Sequence, residues 1–438
     1  MPLIIISLGI LLLFLLIIVF RLNAFIAFII VAITIGIGQG MELNTIVKSL
    51  EKGIGNTLGF LVMILGLGAM LGKLVAESGA AQKITNGLIK VFGVKRTKIA
   101  VMTTGFVVGI TMFYSVGFVI LVPLVFTVAA ATGLSLISIA LPMLASLSVT
   151  HGFLPPHPAP TALSIMFQAD IGKTLIYGVI VAIPAILISG PLLTRFLIPV
   201  EAKPLKEFMA SKVFKEEELP GLFNSLATAL LPVILIGFST LMIEFLNEGT
   251  VLYSITQFIG NPVIALLLAV LIGIYTLGIS RGTSMDEIMK IFGTAASGIT
   301  MVLLIIAGAG ALKQILIDSG VSDYIGGLLE ITALSPLLIG WLIATLIRFS
   351  VGSATVAGLT TAGIVLPIVQ STGVSPELMV LAIGSGSLML SHVNDSGFWL
   401  FKEYFNLTIK QTLLTWTIME TTIGISGLIG VLILNQFI

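Results

Sequence analysis

The three histidines of this 438-residue chain fall in two short segments, His151-Gly-Phe-Leu-Pro-Pro-His-Pro158 and Ser391-His-Val-Asn-Asp-Ser-Gly397. An imidazole titrates near pH ~6.5 and so can pass protons under ordinary conditions. In the first segment Pro155, Pro156, Pro158 and Pro160 remove amide donors and obstruct the preceding turn, so a helix passing through must open. In the second, Asn394, Asp395 and Ser396 compete for local backbone bonds beside Gly397, and this favours an unwound turn. Opened helices expose carbonyls and half-helix ends, which are ready ligands for ions and small charged solutes.

Asp395 is the lone carboxylate of its run. An ionised carboxylate in apolar surroundings is costly unless it is paired or functional, so Asp395 reads as an ion-coupling group or as half of a structural pair. His151 and His392 read as proton-relay groups or as helix-end residues satisfied by nearby carbonyls. Arg348 carries a planar fork suited to clamping a carboxylate; snorkelling, or pairing with Asp395, are the alternatives. Lys73, Lys173 and Arg195 lie near the ends of apolar runs and read as interfacial anchors.

Three motif-like strings carry no chemistry. Gly66-Leu-Gly-Ala-Met-Leu-Gly72 resembles a phosphate loop but lies inside an apolar run, where close helix packing explains it. Ser391, His392 and Asp395 crowd one turn, which does not supply the geometry of a nucleophile, its base and an orienter. His151 and His157 lack the His-Glu-x-x-His spacing of a metalloprotease. Neither an enzyme nor a cofactor is expected, and no metal site.

The elements that hold these segments are overwhelmingly apolar. Hydrophobic residues make up 57% and charged residues 9%, against about 45–50% and about 25% in soluble domains. A soluble fold cannot hide so much apolar surface, so an all-α polytopic membrane protein is expected. The formal net charge of +1 provides no basic stripe for nucleic acid, and the absence of cysteine excludes disulfides and thiolate sites. Residues 1–20 lack a charged leading segment and read as a retained span.

Spans of roughly 20 residues are expected near 3–20, 23–38, 56–76, 134–150, 173–198, 223–246, 262–279, 296–317, 376–391 and 411–437. Two further stretches, 99–131 and 336–370, are interrupted at Gly109-Ile-Thr-Met-Phe-Tyr-Ser-Val-Gly117 and Ser350-Val-Gly-Ser-Ala-Thr355. Limbs of about 10 to 15 residues suit re-entrant hairpins, with ordinary spans containing packing glycines as the alternative. Irregular backbone at membrane depth survives where protein or a wet cavity satisfies its amides, so the tips are expected to wall a site.

An internal repeat organises these parts. Gly68-Ala69 matches Gly310-Ala311, Ser78-Gly79 matches Ser319-Gly320, Ile84 matches Ile325, Gly109 matches Gly352 and His151 matches His392, at offsets of 241 to 243. Residues 1–198 and 223–438 read as two halves joined by a connector at 199–222. Lys83, Lys90, Lys95, Arg96 and Lys98 follow the third span, whereas Asp318, Asp323 and Glu330 follow its counterpart. Cytoplasmic loops collect basic residues, so the halves are expected to be inverted relative to one another. Lys203, Lys206, Lys212 and Lys215 place the connector in the cytoplasm and both termini outside. Inverted halves with broken helices meeting at mid-membrane are the architecture of a secondary transporter. A passive channel is the competing class, but no ring of like charge and no filter repeat is present.

The strings Gly66 to Ile84, Ser148 to Thr161 (SVTHGFLPPHPAPT), Gly352 to Ala357 (GSATVA) and Ser391 to Trp399 (SHVNDSGFW) closely resemble the gluconate permease family of bacterial proton symporters, over essentially the whole chain. The resemblance implies an inner-membrane carrier of gluconate or a related sugar acid. It also implies kinship with the ion transporter superfamily, whose homodimers pair a fixed scaffold with a mobile transport domain bearing two hairpins, an elevator. Two departures stand out: Ser115 occupies a position that is acidic in the family, and Val351 one where Gln is frequent. The expected function is therefore symport of a sugar acid with a cation, a proton first and sodium second. A D-serine or dicarboxylate carrier is the alternative. The expected substrate contacts are Tyr114, Ser115, Gly117, His151, His157, Arg348, Ser350, Gly352, Ser353, Thr355, Asn394 and Ser396. Asp395, His392 and His151 are expected to couple the ion.

Overall fold

The structure, a computed structural model, describes residues 5, 8–9, 11–13, 15–112, 114–197, 200, 202, 214–320, 335–393 and 395–438. Helices account for every regular element among them. In chain order they are α1 (Ala24–Gly38), α2 (Leu43–Glu77), α3 (Ala80–Phe92), α4 (Thr97–Gly109), α5 (Tyr114–Thr132), α6 (Leu136–Phe153), α7 (Pro158–Phe167), α8 (Ile171–Arg195) and α9 (Leu222–Met242). They continue with α10 (Val251–Gly260), α11 (Pro262–Arg281), α12 (Met285–Asp318), α13 (Pro336–Val351), α14 (Ala354–Thr372), α15 (Pro376–Gly386), α16 (Ser396–Tyr404) and α17 (Ile409–Leu434). Eight described helical runs are long and apolar enough to cross a bilayer, counting α6 with α7 as one run.

Local chemistry sets the helix boundaries. Asn23 Oδ1 accepts from Phe25 N at 2.9 Å, Asp170 Oδ1 accepts from Lys173 N at 2.8 Å, and Ser284 forms a reciprocal capping box with Glu287. Each such cap satisfies an otherwise orphaned amide and is worth about 1 kcal/mol. The box at Ser284 starts α12 eleven residues before the expected span at 296. α2 likewise begins at Leu43 rather than 56. No proline interrupts either lead-in, so each continues as one helix of 35 or 34 residues, about 50 Å long at 1.5 Å per residue.

Other expectations need correction. The run at 376–391 forms only the 11-residue α15, followed by turns at 387–390. The interrupted stretches do break, after Gly109 and at Gly352–Ser353; the first limb, of 13 residues, has the expected length, and the other three, of 19, 16 and 19 residues, exceed it. The basic segment after α2 is mostly the amphipathic helix α3. Asp323, Ile325 and Glu330, and the connector residues Lys203, Lys206 and Lys212, lie outside the described residues, as does part of the 3–20 run.

Five helix starts recur along the chain at a nearly constant separation. Leu43 and Met285, Thr97 and Pro336, Tyr114 and Ala354, Leu136 and Pro376, and Pro158 and Ser396 each begin matching helices, at separations of 242, 239, 240, 240 and 238. α2 and α12 pack along each other, and a Cβ built on Gly53 would lie 2.4 Å from the Gly310 carbonyl oxygen. Within lipid, contact between helices depends on such close approach rather than on the hydrophobic effect. A second glycine crossing joins α6 to α15, where a Cβ on Gly384 would lie 2.2 Å from the Gly152 oxygen. That crossing fixes the end of α6 next to His151.

Candidate functional site

Two helix breaks and two interrupted stretches converge on one cavity of about 500 Å³. α6 ends at Phe153, and α7 restarts at Pro158 with His157 in extended conformation ahead of it. On the opposite side α13 ends at Gly352, whose φ of +75° suits glycine, and Ser353 caps α14 by accepting from Val356 N at 3.4 Å. Gly352, Ser353, Ala354 and Thr355 line the cavity, so the positive end of α14 borders it. Thr111 and Met112, from the break after α4, line it as well.

Charge is held in a small network at the base of these breaks. Arg348, 3% exposed, donates through Nη2 to Asp395 Oδ2, and the Ser391 hydroxyl donates to the same oxygen. Asp395 Oδ1 accepts from Gly397 N at 2.9 Å and so caps α16. Asp395 is thus fully engaged. Among the described residues, the Nε and Nη1 of Arg348 are buried without a partner. Trp416 Nε1 donates to Ser391 Oγ at 2.8 Å and holds the turn against α17.

A second polar group sits across the cavity. His151, in the last turn of α6, stands with its ring 6.1 Å from Tyr114 and 5.5 Å from His157. His157 is buried behind it, where Nε2–H donates to the Gly109 carbonyl at 2.6 Å and ties the first helix break to the end of α4. Glu420 of α17 is 1% exposed, lines the cavity and accepts the Ser148 hydroxyl on Oε1. Among the described residues, His151 Nδ1 and Glu420 Oε2 are buried without a partner. Unpaired buried polar atoms are costly, and several around one cavity indicate a polar occupant.

Of the residues singled out from the sequence, Tyr114, His151, Arg348, Gly352, Ser353, Thr355 and Asp395 line the cavity together. His157 and Gly117 do not line it: His157 braces α4, and Gly117 packs on Leu147, where a Cβ would meet Cδ2 at 2.9 Å. His392 lies apart from the cavity, its ring 4.8 Å from that of Phe349 and its Nε2–H donating to the Phe349 carbonyl at 3.1 Å. Asn394 lies outside the described residues, and so do the side chains of Ser115, Ser350 and Ser396.

A profile of the GntP family permeases matches residues 1–438 in full. The chain belongs to the GntP permease family. This permease is 50% identical over 439 residues to the high-affinity gluconate transporter of Escherichia coli K12, covering all of both chains. It is 51% identical to the Gnt-II system L-idonate transporter of the same organism and 46% identical to the gluconate permease of Bacillus subtilis, covering 99% of each chain in both cases. In fold it is similar to the YdaH transporter of Alcanivorax borkumensis, with a TM-score of 0.66 at 16% identity over 94% of this chain and 97% of that one. MtrF of Neisseria gonorrhoeae gives 0.67 at 17% identity over 94% and 93%. The permease is a multi-pass membrane transporter and not an enzyme.

Lys73, Ser148, Trp416 and Glu420 are among the cavity-lining residues of the permease that the sequence did not mark as site residues. Lys73, read as an interfacial anchor, lines the cavity and pairs with Glu77 at 2.9 Å. Glu420 carried a usable signal, because it is the lone charged residue between Lys410 and the end of the chain. Ser148 and Trp416 carried none, since a hydroxyl or an indole within an apolar helix is commonplace.

Proposed function

We infer that this permease imports gluconate or a closely related sugar acid by symport with a cation, a proton ahead of sodium, across the bacterial inner membrane. The carrying observation is that a buried guanidinium, with two nitrogens unpartnered among the described residues, lines the same cavity as the amino end of α14. A carboxylate suits both: the fork offers directed donors and the helix end offers amides and positive potential. Ser353, Thr355, Tyr114 and His151 around the same cavity supply partners for a chain of substrate hydroxyls. The naming of close relatives for gluconate and L-idonate favours a sugar acid over D-serine or a dicarboxylate.

In this reading residues 1–198 and 223–438 are inverted repeats joined by a cytoplasmic connector at 199–222, and the two interrupted stretches are the re-entrant hairpins of a moving transport domain. Homodimers would provide the fixed scaffold of an elevator. The recurrence of helix starts at separations of 238 to 242 supports the repeat. Ser115, Ser350, Asn394 and Ser396 remain proposed substrate contacts at the tips, while His157 and Gly117 would act by bracing them. Among the proposed ion-coupling groups, His151 faces the cavity and Asp395 is held by Arg348. His392 would act only from outside the cavity.

Purified protein in liposomes tests the function. Labelled gluconate should accumulate above the outside concentration under an inward proton gradient, and equilibration without accumulation would instead identify a channel. Thermal-shift screening against sugar acids, D-serine and dicarboxylates, with and without sodium, separates the cargo classes. Stabilisation by amino acids or dicarboxylates alone would overturn the sugar-acid assignment.

A further inference from the structure

Glu420 is the cavity's unmatched charge. Its Oε1 accepts one neutral hydroxyl from Ser148, and its Oε2 is buried with no partner among the described residues. The other ionisable side chains lining the cavity are Lys73 from α2, Tyr114 from α5, His151 from α6, Arg348 from α13 and Asp395 from the turn before α16. Lys73 is paired with Glu77, and Arg348 with Asp395. No cation pairs with Glu420 among the described residues. Asp395 has a guanidinium, a hydroxyl and an amide to itself. A carboxylate locked in such a network is poorly placed to gain and lose a proton, whereas one with a free oxygen on a wet cavity is well placed.

We propose that Glu420 is the proton-carrying carboxylate of this permease and couples proton to anion by like-charge exclusion within one cavity. The proposal rests on the symport reading above. In the empty outward-facing carrier, Glu420 is ionised and its negative charge opposes a second anion in the same low-dielectric space. A proton from the outside water attaches to Oε2 and converts the carboxylate to a carboxyl. The anion then binds between Arg348 and the amino end of α14 without facing a like charge. After reorientation the anion leaves, the carboxyl returns its proton to the cytoplasmic water, and the site is restored. One proton and one anion cross together. The coupling is reciprocal, so a bound anion also favours the protonated carboxyl. This assignment supplies a carboxylate where the first interrupted stretch carries Ser115 instead of an acid.

The test is proton movement measured together with gluconate movement in liposomes holding a pH dye. Wild type should take up protons with gluconate and concentrate it. Glu420→Gln, fixed in the neutral form, should lose accumulation and gluconate-linked proton movement while retaining counterflow exchange of labelled for unlabelled gluconate. Glu420→Asp should retain proton movement. Wild-type coupling in Glu420→Gln overturns the proposal, and so does loss of counterflow in a variant that remains folded. Ser148→Ala repeats the test without altering the carboxyl: the pH of half-maximal uptake should move, and an unmoved profile overturns the assignment. If wild type itself moves no protons with gluconate, the symport reading fails, and that outcome is distinct from any result on Glu420.

Discussion

Arg348 and Asp395, 47 positions apart in the chain, form a buried ion pair at the floor of the cavity, with side-chain exposures of 3% and 12%. Among the described residues no other ion pair has both members so enclosed. The pair joins α13 to the turn before α16, and Asp395 caps α16 with its second oxygen. One carboxylate therefore organises a helix start, a guanidinium and a hydroxyl.

Breaking this pair from one side should be more damaging than removing it whole. Arg348→Ala leaves a buried carboxylate uncompensated, at a cost of about 3–5 kcal/mol. The Arg348→Ala/Asp395→Ala double variant should unfold at a higher temperature than Arg348→Ala alone. Equal or lower melting of the double variant would mean that the two residues do not share one buried charge balance.

Arg348→Lys should keep the charge but lose the planar fork. Michaelis constants for gluconate uptake should rise by about tenfold or more, corresponding to roughly 1.4 kcal/mol of lost binding. Uptake kinetics in liposomes at fixed pH check this, and an unchanged constant removes the fork from substrate recognition.

Asp395→Asn should weaken accumulation and counterflow in parallel, because it loosens Arg348 rather than deleting a proton carrier. Asn can still cap α16, so the fold should persist. The contrast with Glu420→Gln, in which only accumulation is lost, distinguishes a positioning carboxylate from a coupling one. Selective loss of accumulation in Asp395→Asn would return the coupling role to Asp395.

Gly53→Ala should destabilise the α2–α12 contact, because the added methyl would lie 2.4 Å from the Gly310 oxygen. The expected cost is about 1–3 kcal/mol. Gly59→Ala, on the same helix with nothing within 4 Å, should be neutral or slightly stabilising. Melting temperatures in detergent compare the two, and equal shifts would show that the glycine crossing does not set the separation of α2 and α12.

Outside the membrane-spanning helices, Glu216 lies between α8 and α9 and accepts from Lys83 and Asn86 of α3. The Lys83 hydrogen bond, followed by that from Asn86, holds its carboxyl below the ordinary carboxylate range. A carboxyl lowered in the folded state contributes stability above its unfolded value of about 4.3 and loses it as pH falls through the folded value. Glu216→Gln should therefore melt slightly below wild type at neutral pH and match it in acid. The difference should shrink in high salt, as for any exposed pair. A gap that persists in acid would assign the effect to something other than the carboxylate's charge.

Much of the site was legible because its determinants act within one helical turn. Pro155, Pro156 and Pro158 open the helix wherever they are placed, and Gly352 followed by Ser353 both ends one helix and caps the next. Apolar content alone dictated the membrane, and the family strings carried the kinship of the whole chain. His151 and Arg348 could be named from their positions beside those breaks.

What residues do across helices was decided only by packing. The sequence left Arg348 free to clamp, snorkel or pair, and the crossing of α13 with the 391–395 turn selected the pair. His151 and His392 stand 241 positions apart in similar sequence settings, yet one faces the cavity and the other lies against Phe349. Ser148 meets Glu420 from 272 positions away, a contact that exists because the α6–α15 glycine crossing and the α15–α17 packing bring their helices together. Turn chemistry is short-ranged and can be read residue by residue. Distances between helices depend on how all the side chains between them fit, and no local pattern encodes that sum.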